Sequence, residues 1–351
     1  MKKLIVVATK VDGGKGGISS ALNGYLNGFK EENIEYQLVE SHNSKGIIVA
    51  WFSAFWKILL LSIKHRNGDA VFWFHCGPWL SAIRKFSLAI IPRLFGCKTL
   101  GHIHSPAFND YLTKSKVSQC LTKLSISPYT HLIMLTPWWK SLICENGISK
   151  KAVVSPNPNS DEYCDIAKKY FKSNKSLVKV QESFTVLSMA RLVEGKGVEL
   201  VIKAISELPN NYKLKIAGEG PLKESLVQLA QSSGVSDRVE FLGWIDGEKK
   251  KALLSEADLF CLPSTYDSFG MVFIEAMAFD LPVIAYGWGP ISDVVTPDVG
   301  ICCSKPCAEQ VKTAIVDICT DLSVYSGKGP QRVLENYTSK TACHNIIALL
   351  K

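Results

Sequence analysis

Short apolar runs recur along the chain, separated by turn residues and by stretches of helical periodicity. Leu4–Ala8, Ala70–His75, Thr99–His104 and Leu132–Pro137 in the first half have strand length and turn-forming boundaries. Phe184–Met189, Tyr212–Glu219, Val239–Trp244, Ala257–Leu262 and Leu281–Ala285 repeat the pattern in the second. Helical spacing begins at Ile18, at Leu222, and across Phe269–Phe279, where Asp267 or Ser268 stands in position to cap. Residues 255–295 are the clearest case. Strand, loop, helix and strand follow one another within about thirty residues, which is the pattern of a parallel βαβ unit. The pattern as a whole predicts an α/β protein. Pro156 and Pro158 among small polar residues, in Val153–Asn159, mark a stiff linker. They divide the chain into residues 1–160 and 161–325, with a helical tail over 326–351.

The run 46–63 (GIIVAWFSAFWKILLLSI) is the most apolar. Lys57 interrupts its centre, and a charge at mid-bilayer is costly, which argues against a spanning helix. The expectation is a buried helix of the first domain, with a helix lying in a membrane interface as the second reading; Trp51, Trp56, Lys57 and Lys64 suit the latter. Residues 87–98 carry the same ambiguity. Charge sharpens the question. Residues 1–160 hold 19 Lys and Arg against 8 acids, whereas residues 161–351 hold 21 against 24. A basic, aromatic-rich first half points to an anionic partner such as a membrane surface, or to a merely solubilising face. Eleven cysteines without metal-ligand spacing, behind an N-terminal apolar run too short for a signal peptide, point to reduced thiols in a cytoplasm.

The candidate chemistry sits where strands meet loops. Arg191 and Lys196, just before a helix start, suit a diphosphate: one offers a planar fork and the other a point charge. Surface salt bridges would use the same residues. Asp267 and Glu275 bracket the start of the helix in 269–279; charged acceptors there suit sugar hydroxyls, or serve as a cap and a surface acid. The loop Asp12–Gly17 follows the first strand and precedes a helix, which is an anion-site arrangement, although its spacing fits neither GxGxxG nor GxxxxGK[ST]. The missing GxGxxG also disfavours a dinucleotide-dependent dehydrogenase. His102 and His104 share one face of a strand, so paired metal ligation is conceivable, but the sequence offers no third ligand.

Taken in order, these elements resemble the retaining glycosyltransferases of family 4. The cleft glycine loop with Gly16 and Gly17, the strand-end His104, the R-x4-KG element at Arg191 and Lys196, the GxGP turn at Gly218, and the acid-x7-acid pair Asp267 and Glu275 span nearly the whole chain. Two departures stand out: the first acid is Asp267 where the family has Glu, and Asp280 stands where the family has Gly. The resemblance implies a GT-B fold, two Rossmann-like domains facing a central cleft, with the last helix crossing back to the first domain. It implies transfer of a hexose-type sugar from a nucleotide-sugar donor (UDP- or GDP-linked) to a glycan acceptor, with retention at the anomeric carbon. Arg191 and Lys196 would neutralise the leaving diphosphate, and Glu275 would bind the ribose. Asp267, Ser268, Phe269 and Gly270 would hold the donor sugar, with helix-start amides at Met271 and Val272. Gly218, in the GxGP turn, would belong to the donor site, the strand holding Leu242 would pass the base along its backbone groups, and His104 would face the reacting sugar. No cofactor, metal or nucleic acid is implied. A lipid-linked acceptor of the lipopolysaccharide or capsule kind, and a peripheral site at the inner face of the cell membrane, follow from the basic first half. A nucleotide-sugar epimerase on the same fold and a non-catalytic nucleotide-sugar-binding protein are the rival readings.

Overall fold

The structure is a computed structural model that describes residues 2–9, 17–42, 46–148, 151–173 and 183–351. By internal packing the chain divides into two units, Met1–Ser160 with Asn336–Lys351, and Asp161–Glu335.

Unit 1 runs β1 (Lys3–Thr9), α1 (Gly17–Glu31), β2 (Tyr36–His42), α2 (Ile47–Lys64), β3 (Ala70–Cys76), α3 (Trp79–Leu94), β4 (Lys98–Ile103), α4 (Phe108–Thr113), α5 (Lys116–Ser125), β5 (His131–Met134), α6 (Pro137–Glu145) and β6 (Lys151–Val154). Unit 2 holds α7 (Asp161–Ser173), β7 (Phe184–Met189), α8 (Val198–Ser206), β8 (Tyr212–Ala217), α9 (Lys223–Ser232), β9 (Val239–Gly243), α10 (Gly247–Glu256) and β10 (Leu259–Leu262). It continues with α11 (Met271–Ala278), β11 (Val283–Tyr286), α12 (Ile291–Val294), β12 (Gly300–Cys303), α13 (Ala308–Thr320) and α14 (Lys328–Asn336), and α15 (Ser339–Ala348) follows.

Each unit is built on one six-stranded sheet, ordered β2-β1-β3-β4-β5-β6 in unit 1 and β12-β11-β10-β7-β8-β9 in unit 2. Every ladder is parallel. Parallel strands need crossover connections, and the helices that supply them cover the sheet faces. Hence the central strands are apolar without alternation: β3 is buried along its whole length, and so is β10. In each sheet the strand order reverses once, between β1 and β3 and between β7 and β10. Those reversals open crevices at the carboxyl ends of the strands, where α/β sheets bind ligands.

In unit 1, α1 and α15 pack together over the sheet. Gly28 permits the approach, since a Cβ there would stand 2.5 Å from the Ser339 carbonyl oxygen. Tyr25, fully buried, donates its hydroxyl to the Pro156 carbonyl (2.7 Å), and Ser155 Oγ donates to the Ala342 carbonyl (2.7 Å). Ala342, Ile346 and Leu350 thus belong to the same core as Leu4, Val6 and Leu22.

The expectation of a buried helix over 46–63 is corrected. α2 seats only a narrow stripe, Ala50, Ala54, Ile58 and Ser62, and turns Phe52, Trp56 and Leu60 outward at 55–64% exposure. A helix apolar all round has more apolar surface than one sheet can cover. α2 packs on α3, and α3 on α5. Among the described residues, 12 of the 17 exposed large apolar side chains lie on these three helices, so the excess is concentrated rather than scattered. Among the described residues no helix is long and apolar enough to cross a membrane.

Candidate active site

The reversal between β7 and β10 gathers the charged residues singled out in unit 2. β7 ends at Met189 and leads through Arg191 to Gly195, Lys196 and Gly197. Gly195 and Gly197 have φ of 81° and 75°, values that residues with a Cβ adopt with strain, and Gly197 caps α8. β10 ends at Leu262 and leads to Asp267. The two loops are laced together: the Thr265 amide donates to the Gly195 carbonyl (2.8 Å), and the Ser264 hydroxyl donates to the same oxygen (3.2 Å). This lacing brings Lys196 Nζ to 2.8 Å from Asp267 Oδ1, both side chains about one-fifth exposed. Arg191 is exposed and makes no ion pair among the described residues. A third loop joins from β8. The Leu192 amide donates to the Glu219 carbonyl (3.0 Å), and the Gly218 amide donates to the Gly243 carbonyl (2.7 Å) just beyond Leu242. Gly218 must lack a Cβ here, because one would stand 1.8 Å from the Ala190 carbonyl oxygen.

The N-terminus of α11 opens onto the same crevice. Its N-cap position is held by Gly270 at φ 78° rather than by Asp267 or Ser268, the residues that the spacing offered for it. Asp267 is instead held by Lys196. Phe269 is buried, while Met271 and Val272 are partly exposed, leaving helix-start amides near the surface. One turn into α11, Glu275 Oε2 lies 2.6 Å from Nζ of Lys250, which α10 presents. Lys250 also lies 5.7 Å from the centroid of the Tyr163 ring. Burial and, after it, the Glu275 charge push the Tyr163 hydroxyl far above its usual range, so it stays a neutral donor. Sequence reasoning missed Lys250. Nothing in its spacing to Glu275, 25 residues away, announces the pair.

In unit 1 the parallel ladder sets His75 of β3 opposite His102 of β4, and His104 follows β4. All three are buried. Nδ1 of His75 and Nε2 of His104 share a hydrogen bond at 3.0 Å, and the rings of His102 and His104 are 4.1 Å apart. His75 is the third histidine that the sequence did not reveal; consecutive apolar strands predict that β3 and β4 pair, and that pairing was the available signal. One nitrogen from each ring lies within 4.8 Å of the others, a separation at which a metal ion could be held. Burial lowers the proton affinity of all three, and the Lys85 charge adds to this for His75 and His104; His104 is brought down to about 3. The imidazoles are therefore neutral. Of the glycine loop, Gly17 opens α1 and Gly16 lies outside the described residues.

Residues 169–332 match the family described as Glycosyl transferases group 1, a span that holds Arg191, Lys196, Gly218, Asp267 and Glu275. The chain is similar to an uncharacterized glycosyltransferase of Methanocaldococcus jannaschii, 28% identical over 236 residues, covering 64% of this chain and 60% of that protein. It is similar to the lipopolysaccharide core biosynthesis glycosyltransferase LpsE of Rhizobium meliloti, 38% identical over 100 residues, 28% of each chain. The chain thus spans less than two thirds of the length of these relatives. Among solved structures, Anabaena HepE in complex with UDP superimposes with a TM-score of 0.71 at 16% identity, over 99% of both chains. The two six-stranded parallel sheets with flanking helices are those of GT-B glycosyltransferase structures.

Proposed function

We propose that the chain is a retaining glycosyltransferase of family 4 that moves a hexose-type sugar from a UDP- or GDP-linked donor to a glycan acceptor. The observation that carries this reading is the contact of Lys196 with Asp267 where β7 and β10 diverge, on the loop after β7 that also carries Arg191. Departure of a nucleoside diphosphate develops negative charge. The Arg191 fork and the Lys196 ammonium neutralise it, and the helix-start amides at Met271 and Val272 add partial positive charge. Asp267, with Ser268 and the Phe269–Gly270 backbone, accepts from the donor-sugar hydroxyls; because Lys196 already pairs with Asp267, one ligand can reach both. Glu275, held by Lys250, accepts from the ribose hydroxyls. The backbone about Gly218 and Leu242 flanks the base, and His104 acts on the reacting sugar as a neutral imidazole. Two cations and a helix dipole suffice for the leaving group, so the step needs no metal.

The acceptor in this reading is lipid-linked, and the protein lies peripherally on the inner face of an anionic membrane. Support comes from the outward apolar face of α2, α3 and α5. Within residues 46–127 the exposed cations Lys57, Lys64, Arg66, Arg93, Lys114 and Lys116 face only two acids, Asp69 and Asp110. Apolar side chains ringed by lysine and arginine are suited to a negatively charged bilayer surface. The name of the LpsE relative fits such an acceptor.

Donor turnover tests the site. Arg191→Ala should lose a factor on the order of 10²–10³ in rate, the cost of removing one transition-state charge partner. Full turnover in that variant would refute the diphosphate assignment. Turnover of donor without acceptor would indicate the epimerase, and UDP or GDP binding without release the non-catalytic module. The anomeric configuration of the product, read by proton NMR, decides retention.

A further inference from the structure

Lys85 is a buried charge of unit 1. It sits on α3 at 1% exposure, and its Nζ donates to Ser81 Oγ (3.2 Å), which also accepts from the Gly77 amide (3.2 Å). No acid pairs with it among the described residues; its electrostatic neighbours are Cys76 and a second cation, Arg84. An ammonium taken out of water without a counter-charge carries a large desolvation penalty. Three of its electrostatic neighbours carry a buried polar atom with no hydrogen-bond partner among the described residues, His104 Nδ1, His75 Nε2 and Arg84 Nε, and Ser105 Oγ, next to His104 in the chain, is a fourth such atom. So many orphaned groups in one place call for a ligand that satisfies them together.

Two ligands compete for that description. Three neutral imidazoles could take a divalent cation, but the Lys85 ammonium acts on His75 and His104 directly, and among the described residues no carboxylate joins the three histidines to offset two more positive charges. An anion fits better. One ammonium, one guanidinium, one hydroxyl and the single free N–H that the hydrogen-bonded His75–His104 pair retains form a set rich in donors, and a phosphoryl group brings charge and several acceptor oxygens. Gly77, Ser81 and Arg84 are partly exposed, so the set has a rim as well as a floor.

We infer that Lys85, with Ser81, Arg84 and Ser105, binds a phosphoryl group carried by the acceptor. This rests on the glycosyltransferase reading, in which unit 2 holds the donor and leaves unit 1 to the acceptor. The chemistry is shared by a polyprenyl diphosphate and a water-soluble sugar phosphate.

The experiment is calorimetric titration of inorganic pyrophosphate into the full chain carrying Arg191→Ala and Lys196→Ala, which removes the diphosphate contacts of unit 2. Binding should persist in that background. Adding Lys85→Met should weaken it about ten- to a hundredfold, as expected for loss of a charged hydrogen bond. Lys85→Arg should restore most of it. Farnesyl diphosphate in place of pyrophosphate separates the sources: much tighter binding indicates a lipid-linked acceptor, and equal binding a soluble one. Absence of pyrophosphate binding in the double variant, or unchanged affinity after Lys85→Met, overturns the proposal. Should Lys85→Met fail to fold, Ser105→Ala replaces it and should weaken binding several-fold, with unchanged affinity again overturning it. The difference in thermal shift by UDP or GDP between the chain with intact Arg191 and Lys196 and the Arg191→Ala, Lys196→Ala variant reports on the donor site, so the two readings fail separately.

Discussion

Replacing Lys250 by Met asks whether Glu275 is a carboxylate held in place by one specific cation. The two side chains are 22% and 12% exposed, and their charged atoms are 2.6 Å apart. An exposed pair contributes only about 0.2–1 kcal/mol, whereas leaving one partner of a fully buried pair alone costs about 3–5 kcal/mol. This pair lies between those limits, so Lys250→Met should destabilise unit 2 by about 2 kcal/mol, with about 0.5 kcal/mol of that from the lost contact with the Tyr163 ring. For a unit of this size that is a fall in Tm of about 4–8 °C. Glu275→Gln removes the charge that Lys250→Met strands. The double variant should therefore be more stable than the sum of the two single changes implies, by about 1–2 kcal/mol. Urea unfolding of the four proteins, without nucleotide, measures this coupling. A coupling energy below about 0.5 kcal/mol, the level of additivity between independent sites, would refute the claim that Lys250 holds Glu275.

Gly270→Ala should cost more than about 1 kcal/mol, because φ is 78° and the new methyl group would stand 2.3 Å from Phe273 Cδ2; Tm and UDP or GDP affinity should fall together. Asp280 has φ 61°, and burial raises its carboxyl to about 6 against the opposing Gly327 amide (2.8 Å) and Ser326 hydroxyl. The native state therefore holds the proton more tightly than the unfolded chain, and the contribution of this group is present below pH 3.8 and lost as pH rises through about 6. Asp280→Asn, which keeps the acceptor oxygen and tolerates this φ, should flatten that segment of the stability–pH curve in urea titrations. Trp56→Glu with Leu60→Glu should abolish flotation with anionic phosphatidylglycerol vesicles at low salt while leaving nucleotide binding unchanged; unaltered flotation would remove α2 from the membrane reading.

Much of the fold is legible where burial dictates composition. β7 spans the residues 184–189 that its apolar run predicted, because a central parallel strand must be apolar on both faces. β2 (YQLVESH) escaped the reading because it lies at a sheet edge and alternates with polar residues. α2 was legible as a helix but not in its exposure. Apolar character predicts burial only where enough partner surface exists, and the sequence holds no record of that surface. Of the candidate residues, the nearness of Lys196 and Asp267 was legible because each follows the end of a strand in the same sheet. Lys250 and His75 were not found, because each joins the cluster through tertiary register rather than through spacing along the chain.

The packing of α15 against α1 sets an order for biosynthesis. The core of unit 1 includes Ala342, Ile346 and Leu350, which leave the ribosome only after all of unit 2 has been made. At about 5–20 residues per second, unit 2 takes on the order of 10–40 s to synthesise. Throughout that interval the face of α1 around Gly28 lacks its cover, although every strand of the first sheet is already available. The unit that is translated first is therefore the last to be finished. Its nascent form is the one that a chaperone would have to shield.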